Sequence, residues 1–387
     1  MQTDRRDFLK AALSIGCCAA ASPLITPVTV AAAPGDNRLV VIILRGAMDG
    51  LGVVSPYGDT EFTALRPKIG LTPERGLIDL DGRFGMHPKL GVLSPMWQTG
   101  ELGFAHAVST PYRDKRSHFD GQDILEAGTQ GIATANDGWI NRALSHMQNT
   151  SVDTAYSVGR ETMLITSGEN PARSWAPGEK LPLGEDERSL LQMIYRDDPL
   201  FADAAAAAAE LSLTTGERKA QGREAVKVLA QYAAGRLKED ARIATFSIGG
   251  WDTHVIQPAA INYPTSQLAD AIVTLKQELG PEWSRTMVIA MTEFGRTARE
   301  NGSKGTDHGT GGAAVLAGGV LAGGKVFGDW PGLAEPDLYK GRDLQATQDV
   351  RHYPAWALHK MFGVAQSDLE RDVFPGLDMG DDRRFIA

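Results

Sequence analysis

The stretch MVIAMTEFGRTARENGSKGTDHGTGG, residues 287–312, opens on an apolar run and passes at once into carboxylate, arginine, glycine and histidine. Residues 286–291 read as a buried strand, because an unbroken run of apolar residues without alternation suits a strand covered on both faces. Glu293, Asp307 and His308 then lie in the loop beyond its end. A second stretch repeats the pattern. ARIATFSI, residues 241–248, reads as a strand, and GGWDTH places Asp252 and His254 directly after it. A third is LVVIIL, residues 39–44, followed by RGAMDG, which carries Arg45 and Asp49.

Between these runs the chain turns helical. The spacing predicts a helix from near Ser117 to Ala127, another over 266–279 and a late one over 349–362 with Pro354 in it or marking a break. GFAHAV, residues 103–108, is a further strand, and 313–316 reads as one more. FADAAAAAAELS and QGREAVKVLAQYAAGRL are strong helix formers and predict a helical insertion around 187–236 that packs over the sheet. Strands that alternate with helices give an α/β chain around a mostly parallel sheet. In such sheets ligands bind beyond the carboxyl ends of the strands. Asp49, Asp252, His254 and Glu293 all fall there.

The N-terminal 33 residues stand apart. Arg5 and Arg6, then Phe8, Leu9 and Lys10, a weak apolar segment and the alanines 31–33 occur in the order of a twin-arginine export signal. The apolar run is shorter than the roughly 20 residues that span a membrane. Both cysteines, Cys17 and Cys18, lie inside this segment, so the mature chain is expected to form no disulfide. Its roughly 350 residues suffice for a single large core. The net charge of −9 disfavours nucleic acid as a partner, since that needs a basic surface.

The polar residues carry the chemistry in aggregate. Asp49 in a DG pair is a turn residue or a ligand. Ser117, followed by His118, begins a helix, where it is an N-cap or a nucleophile favoured by nearby N–H groups. Residues two apart in an extended segment point to one side, so Asp252 and His254 can reach one ion. Glu293 at the end of a buried strand needs a partner, either Arg296 or a metal. Asp307 and His308 sit in a loop dense with glycine, which permits close backbone approach. His87, beside Pro88, reads as structural. Together Asp49, Asp252, His254, Glu293, Asp307 and His308 could hold one or two divalent ions; zinc, manganese or iron suits mixed carboxylate and imidazole ligands. Arg45, Arg116 and Arg296 are the cations available to steady an anion.

LRGAMDGL, PYGD, RSHFDGQD, GGWDTH, TEFGRTARENGSKGTDHG and GDWPGL, spread from Leu39 to about Phe362, resemble the DUF1501 family of twin-arginine-exported bacterial proteins. That resemblance implies an alkaline-phosphatase-like three-layer sandwich, related to sulfatases and cofactor-independent phosphoglycerate mutases. It matches Asp49 to the Asp after the first strand, Ser117 to the nucleophile, Asp252 and His254 to a metal pair, and His308 to the last metal histidine. Glu293 matches an Asp-His pair only in part, because Phe294 cannot bind metal, and the TDHG around His308 offers a competing register. The spacing from Asp252 to His254 is also short for a phosphatase. No Cys-x-Pro-x-Arg sulfatase signature occurs after the signal. The implied function is an exported, metal-dependent hydrolase of phosphate or sulfate esters, acting on a small molecule or a polysaccharide in the periplasm or outside the cell. The alternative is a binding or assembly protein of the cell envelope on a degenerate hydrolase fold. An exported protein partner is also implied.

Overall fold

The computed structural model describes residues 36–177 and 222–387. The segment expected to be an export signal and most of the expected insertion, including its alanine run, lie outside the described residues. Among the described residues nine strands form one sheet: β1 (Arg38–Leu44), β2 (Leu102–Ser109), β3 (Ala155–Val158), β4 (Arg173–Trp175), β5 (Ile243–Ile248), β6 (Thr286–Met291), β7 (Gly312–Ala317), β8 (Val326–Phe327) and β9 (Gln348–Asp349). Their order is β8-β2-β7-β6-β1-β5-β3-β4, and β9 pairs with β2. β6, β1, β5, β3 and β4 run parallel. β7 is antiparallel to both β6 and β2. β2 therefore points the same way as β1, and the carboxyl ends of β1, β2, β5 and β6 share one edge.

The apolar runs account for the layers. Side chains alternate across a strand, so β1 sends Val40, Ile42 and Leu44 into one core and Leu39, Val41 and Ile43 into the other. The long helices provide the covers. α1 (His118–Ala127), α2 (Trp139–Leu144) and α5 (His352–Phe362) contribute to the second core, and α3 (Arg223–Lys238) and α4 (Asn262–Leu279) to the first. This is the expected three-layer α/β sandwich with a mostly parallel sheet. Residues 223–236 of the expected insertion belong to α3, whose Val226, Ala230, Ala233, Ala234 and Leu237 pack into the sheet's own core. Pro354 sits in the first turn of α5, where its missing N–H costs nothing. Among the described residues no helix is long and apolar enough to cross a membrane.

Two histidines serve this frame. The Nδ1 of His87 accepts from the amide of Lys89 and caps a short helix, a structural role. His106 on β2 is almost fully buried against Phe84 and Trp330. Its Nε2 donates to the carbonyl of Val54 at 2.9 Å and its Nδ1 accepts from Ala107, which requires a neutral ring. Burial lowers its pKa from 6.5 to about 4. Between those values the unfolded chain binds a proton that the folded chain refuses. The stabilisation is therefore intact above about pH 6.5 and is lost as pH falls toward 4, at about 3 kcal/mol in full. Urea unfolding at pH 7.5 and 4.5 should show this slope, and His106→Gln should flatten it. An unchanged slope in the variant would assign the effect to other groups.

Candidate metal centre

The shared edge brings together residues that are far apart in sequence. His118 begins α1, just beyond β2. Asp252 and His254 follow β5, and His308 ends the glycine-rich loop between β6 and β7. Glycine makes this convergence possible. A Cβ on Gly305 would stand 2.1 Å from the carbonyl oxygen of His254, and one on Gly295 would stand 1.8 Å from that of Gly311. Only a residue without a side chain lets the loop close on its neighbours.

The Nε2 atoms of His254 and His308 lie 2.9 Å apart. Asp252 Oδ1 lies 3.0 Å from His254 Nε2, 3.5 Å from His308 Nε2 and 3.6 Å from His118 Nε2. One ligand atom from each of His118, Asp252 and His308 falls within 4.8 Å of the others. Donors placed at about 2.0–2.1 Å around a tetrahedral zinc ion are about 3.3 Å from one another, so the spacings among His118, Asp252 and His308 suit a single ion, with His254 joined to that group through Asp252 and His308.

The tautomers point the same way. His118 Nδ1 lies 2.7 Å from Glu293 Oε1, and His308 Nδ1 lies 2.9 Å from the carbonyl of Arg116. His254 Nδ1 faces Asp307 Oδ1 at 3.4 Å. Carboxylates and carbonyls only accept, so the Nδ1 of His118 and of His308 carries the proton and the Nε2 of each presents a lone pair to the centre, whereas His254 faces a carboxylate from both ring nitrogens, Asp252 at 3.0 Å and Asp307 at 3.4 Å. Two bare lone pairs at 2.9 Å repel unless a proton or a cation lies between them. His118 Nε2 is moreover buried with no hydrogen-bond partner. Outer acceptors that fix imidazole tautomers are the usual support of metal ligands. The residues present therefore fit a divalent cation.

The charges around the centre are tuned unequally. A hydrogen bond to Glu293 raises the pKa of His118 against the effect of burial. Burial lowers that of His308, despite its bond to the Arg116 carbonyl. Burial works to raise the pKa of Asp252, but the hydrogen bond and charge of Arg296 outweigh it and hold the carboxyl below its ordinary range. Phe294 stacks under His118 at 5.2 Å and forms a wall rather than a ligand.

Of the six ligands expected from sequence, Asp252, His254 and His308 meet at the centre. Glu293 and Asp307 stand behind it, holding His118 and His254. Glu293 Oε1 also accepts from the amides of Gly46 and Ala47, and Oε2 from Thr292. Asp49 is drawn elsewhere. Both its oxygens bind the guanidinium of Arg66, in a pair whose members are each 1% exposed, and Gln257 donates to it as well. His118 was not among the expected ligands. Its signal was its position, the first helical residue after the strand GFAHAV, which put it on the same edge as the others.

The expected catalytic residues also separate. Ser117 caps α1, its Oγ accepting from the amide of Asp120 at 3.4 Å. Arg45 is engaged by Gln122, Glu126 and Glu161. Arg296 is buried and binds the carbonyls of Gly46, Ala47, Trp251 and Thr306 together with Asp252. Arg116 pairs with the buried Asp343 at 3.1 Å, while its Nε has no hydrogen-bond partner.

The support of His118 gives a direct test. Glu293→Gln removes the charge that orients this imidazole. Metal affinity should fall by roughly 10–100-fold, the usual cost of an outer partner, measured by competition with a chelator. Unchanged affinity would show that His118 needs no help from Glu293.

Residues 87–354 match the model of a family described as "Protein of unknown function (DUF1501)". The chain belongs to this family. No curated protein matches it. Among solved structures it is similar to the C-terminal periplasmic domain of EcEptC from Escherichia coli, in complex with zinc, with 11% identity and a TM-score of 0.41 over 90% of this chain and 88% of that one. It is also similar to the PsFucS1 sulfatase from Pseudoalteromonas sp., with 12% identity and a TM-score of 0.39 over 91% and 73% of the two chains. A protein in the alkaline phosphatase superfamily from Vibrio parahaemolyticus gives 15% identity and a TM-score of 0.35 over 85% and 67%.

Proposed function

We propose that this member of the DUF1501 family is an exported hydrolase of phosphate or sulfate esters, built on an alkaline-phosphatase-like fold, with one divalent ion held by His118, Asp252, His254 and His308. The observation that carries the reading is the convergence of three imidazole Nε2 atoms on one carboxylate, each Nδ1 already tied to an acceptor. Zinc, manganese and iron suit this set. A bound ion would supply Lewis acidity and a water of lowered pKa.

The protein's own residues do the rest. Arg296 fixes Asp252, Glu293 fixes His118 and Asp307 fixes His254, so the ligand geometry is set before substrate arrives. Arg116, joined to His308 through its carbonyl and partly exposed, is the cation proposed to meet a substrate anion. Arg45 and Arg296, both bound to carboxylates, serve as supports. Ser117 is held as a helix cap, which favours hydrolysis by activated water over a serine intermediate. The same engagement of Ser117, Arg45 and Arg296 also supports the second reading, a metal-bearing binding or assembly protein of the envelope. Export by the twin-arginine route suits a chain that folds around its ion before leaving the cytoplasm.

Release of product from aryl phosphate and aryl sulfate by the mature, metal-loaded protein tests the reading. Activity retained in Ser117→Ala and abolished in His254→Ala is expected. A metal-loaded protein that turns over neither ester would leave the binding role standing in place of the hydrolase.

A further inference from the structure

Asp307 has a second neighbourhood. Besides accepting from His254, it lines a cavity of about 460 Å³, a size typical of small-molecule sites. Three kinds of side chain line this cavity. Glu61, Glu335 and Arg299 have charged ends with no partner among the described residues. Arg342 uses one terminal nitrogen on Asp343 and on the His308 carbonyl, which leaves its other N–H groups. Leu65 and Leu333 supply apolar surface.

This lining selects against simple ions. An anion would meet Glu61, Glu335 and Asp307, and a cation would meet Arg299 and Arg342. An aliphatic ligand would strip water from all of them without replacing its hydrogen bonds. A neutral group rich in hydroxyls satisfies both signs at once. Its hydroxyls donate to the carboxylates and accept from the guanidiniums, and a ring's C–H face covers the leucines.

We propose that this cavity binds a neutral sugar residue and sets it beside the metal centre. As the part of the substrate that bears the ester, the sugar rests on the metal-hydrolase reading; its binding does not, because no ligand of the ion lines the cavity.

The test is a glycan array probed with the mature, metal-loaded protein, covering neutral hexose, N-acetylhexosamine and deoxyhexose chains beside sulfated and sialylated ones. The best neutral glycan is then titrated calorimetrically against wild type, Arg299→Ala, Glu335→Ala and His118→Ala. Neutral glycans should be retained. Each cavity variant should weaken binding by about tenfold, the effect of losing a hydrogen bond to a charged group, and His118→Ala should leave it unchanged. Retention of no glycan, retention of charged glycans alone, or equal binding by the cavity variants would overturn the proposal. Sugar binding by a protein that carries no metal would instead overturn the hydrolase reading and leave the cavity's role intact.

Discussion

Mature protein purified without chelator will carry one divalent ion per chain, and His308→Ala will lose it. His308 is central because its Nε2 faces His254 at 2.9 Å while its Nδ1 is fixed by the Arg116 carbonyl. Loss of a supporting partner alone costs roughly 10–100-fold in metal affinity, so loss of the ligand should exceed that. Elemental analysis by plasma mass spectrometry, with circular dichroism to establish folding, reads the outcome. A folded wild-type protein without metal would sink the hydrolase reading. It would require one imidazole of the His254–His308 pair to be protonated instead, with Asp252 as its counter-ion. Two ions per chain would show a second site that the described residues do not form around Asp49.

Asp49→Ala will destabilise the fold by about 3–5 kcal/mol, the usual effect of stripping one partner from a buried ion pair. The large cost follows from what remains. Arg66 would keep its bonds to the carbonyls of Thr297 and Ala298 but would hold an uncompensated charge at 1% exposure. Gln257 would lose its acceptor too. Urea unfolding of metal-depleted protein measures the change without interference from the ion. Metal content of the same variant then separates two roles. Retained metal with lowered stability matches the ion pair with Arg66. Lost metal would return Asp49 to the ligand set suggested by its place after the first strand.

Much of the frame was legible because its code is local. LVVIIL, TMVIAM and ATFSI are continuous apolar runs, and such runs have few alternatives to a strand buried on both faces. The helix from Ser117 to Ala127 announced itself through its spacing and its cap, and in the structure Gly128 ends it in a left-handed turn. Once the strands were parallel, the loops beyond them had to hold the chemistry. That logic reached Asp252, His254 and His308 without any knowledge of distances.

Choosing among the remaining carboxylates and histidines was not a local matter. Asp49 and Asp252 each follow a buried strand by a few residues, and although only Asp252 has a histidine two positions on, that neighbour does not remove Asp49 from the ligand set. Arg66 comes seventeen positions after Asp49 and turns it into half of a buried pair, while Arg296 reaches Asp252 from another loop and leaves it facing three imidazoles. Glu293, expected as a ligand, stands behind the centre, and His118, to which no role was assigned, faces it, for the same reason. The chain by itself determined the strands, the layers and the edge on which the site would form, since these follow from hydrophobic periodicity over a handful of neighbouring residues. The tertiary structure alone decided which groups meet, because a ligand is defined by where its free lone pair points, and that depends on which partners from distant loops have already taken the other atoms.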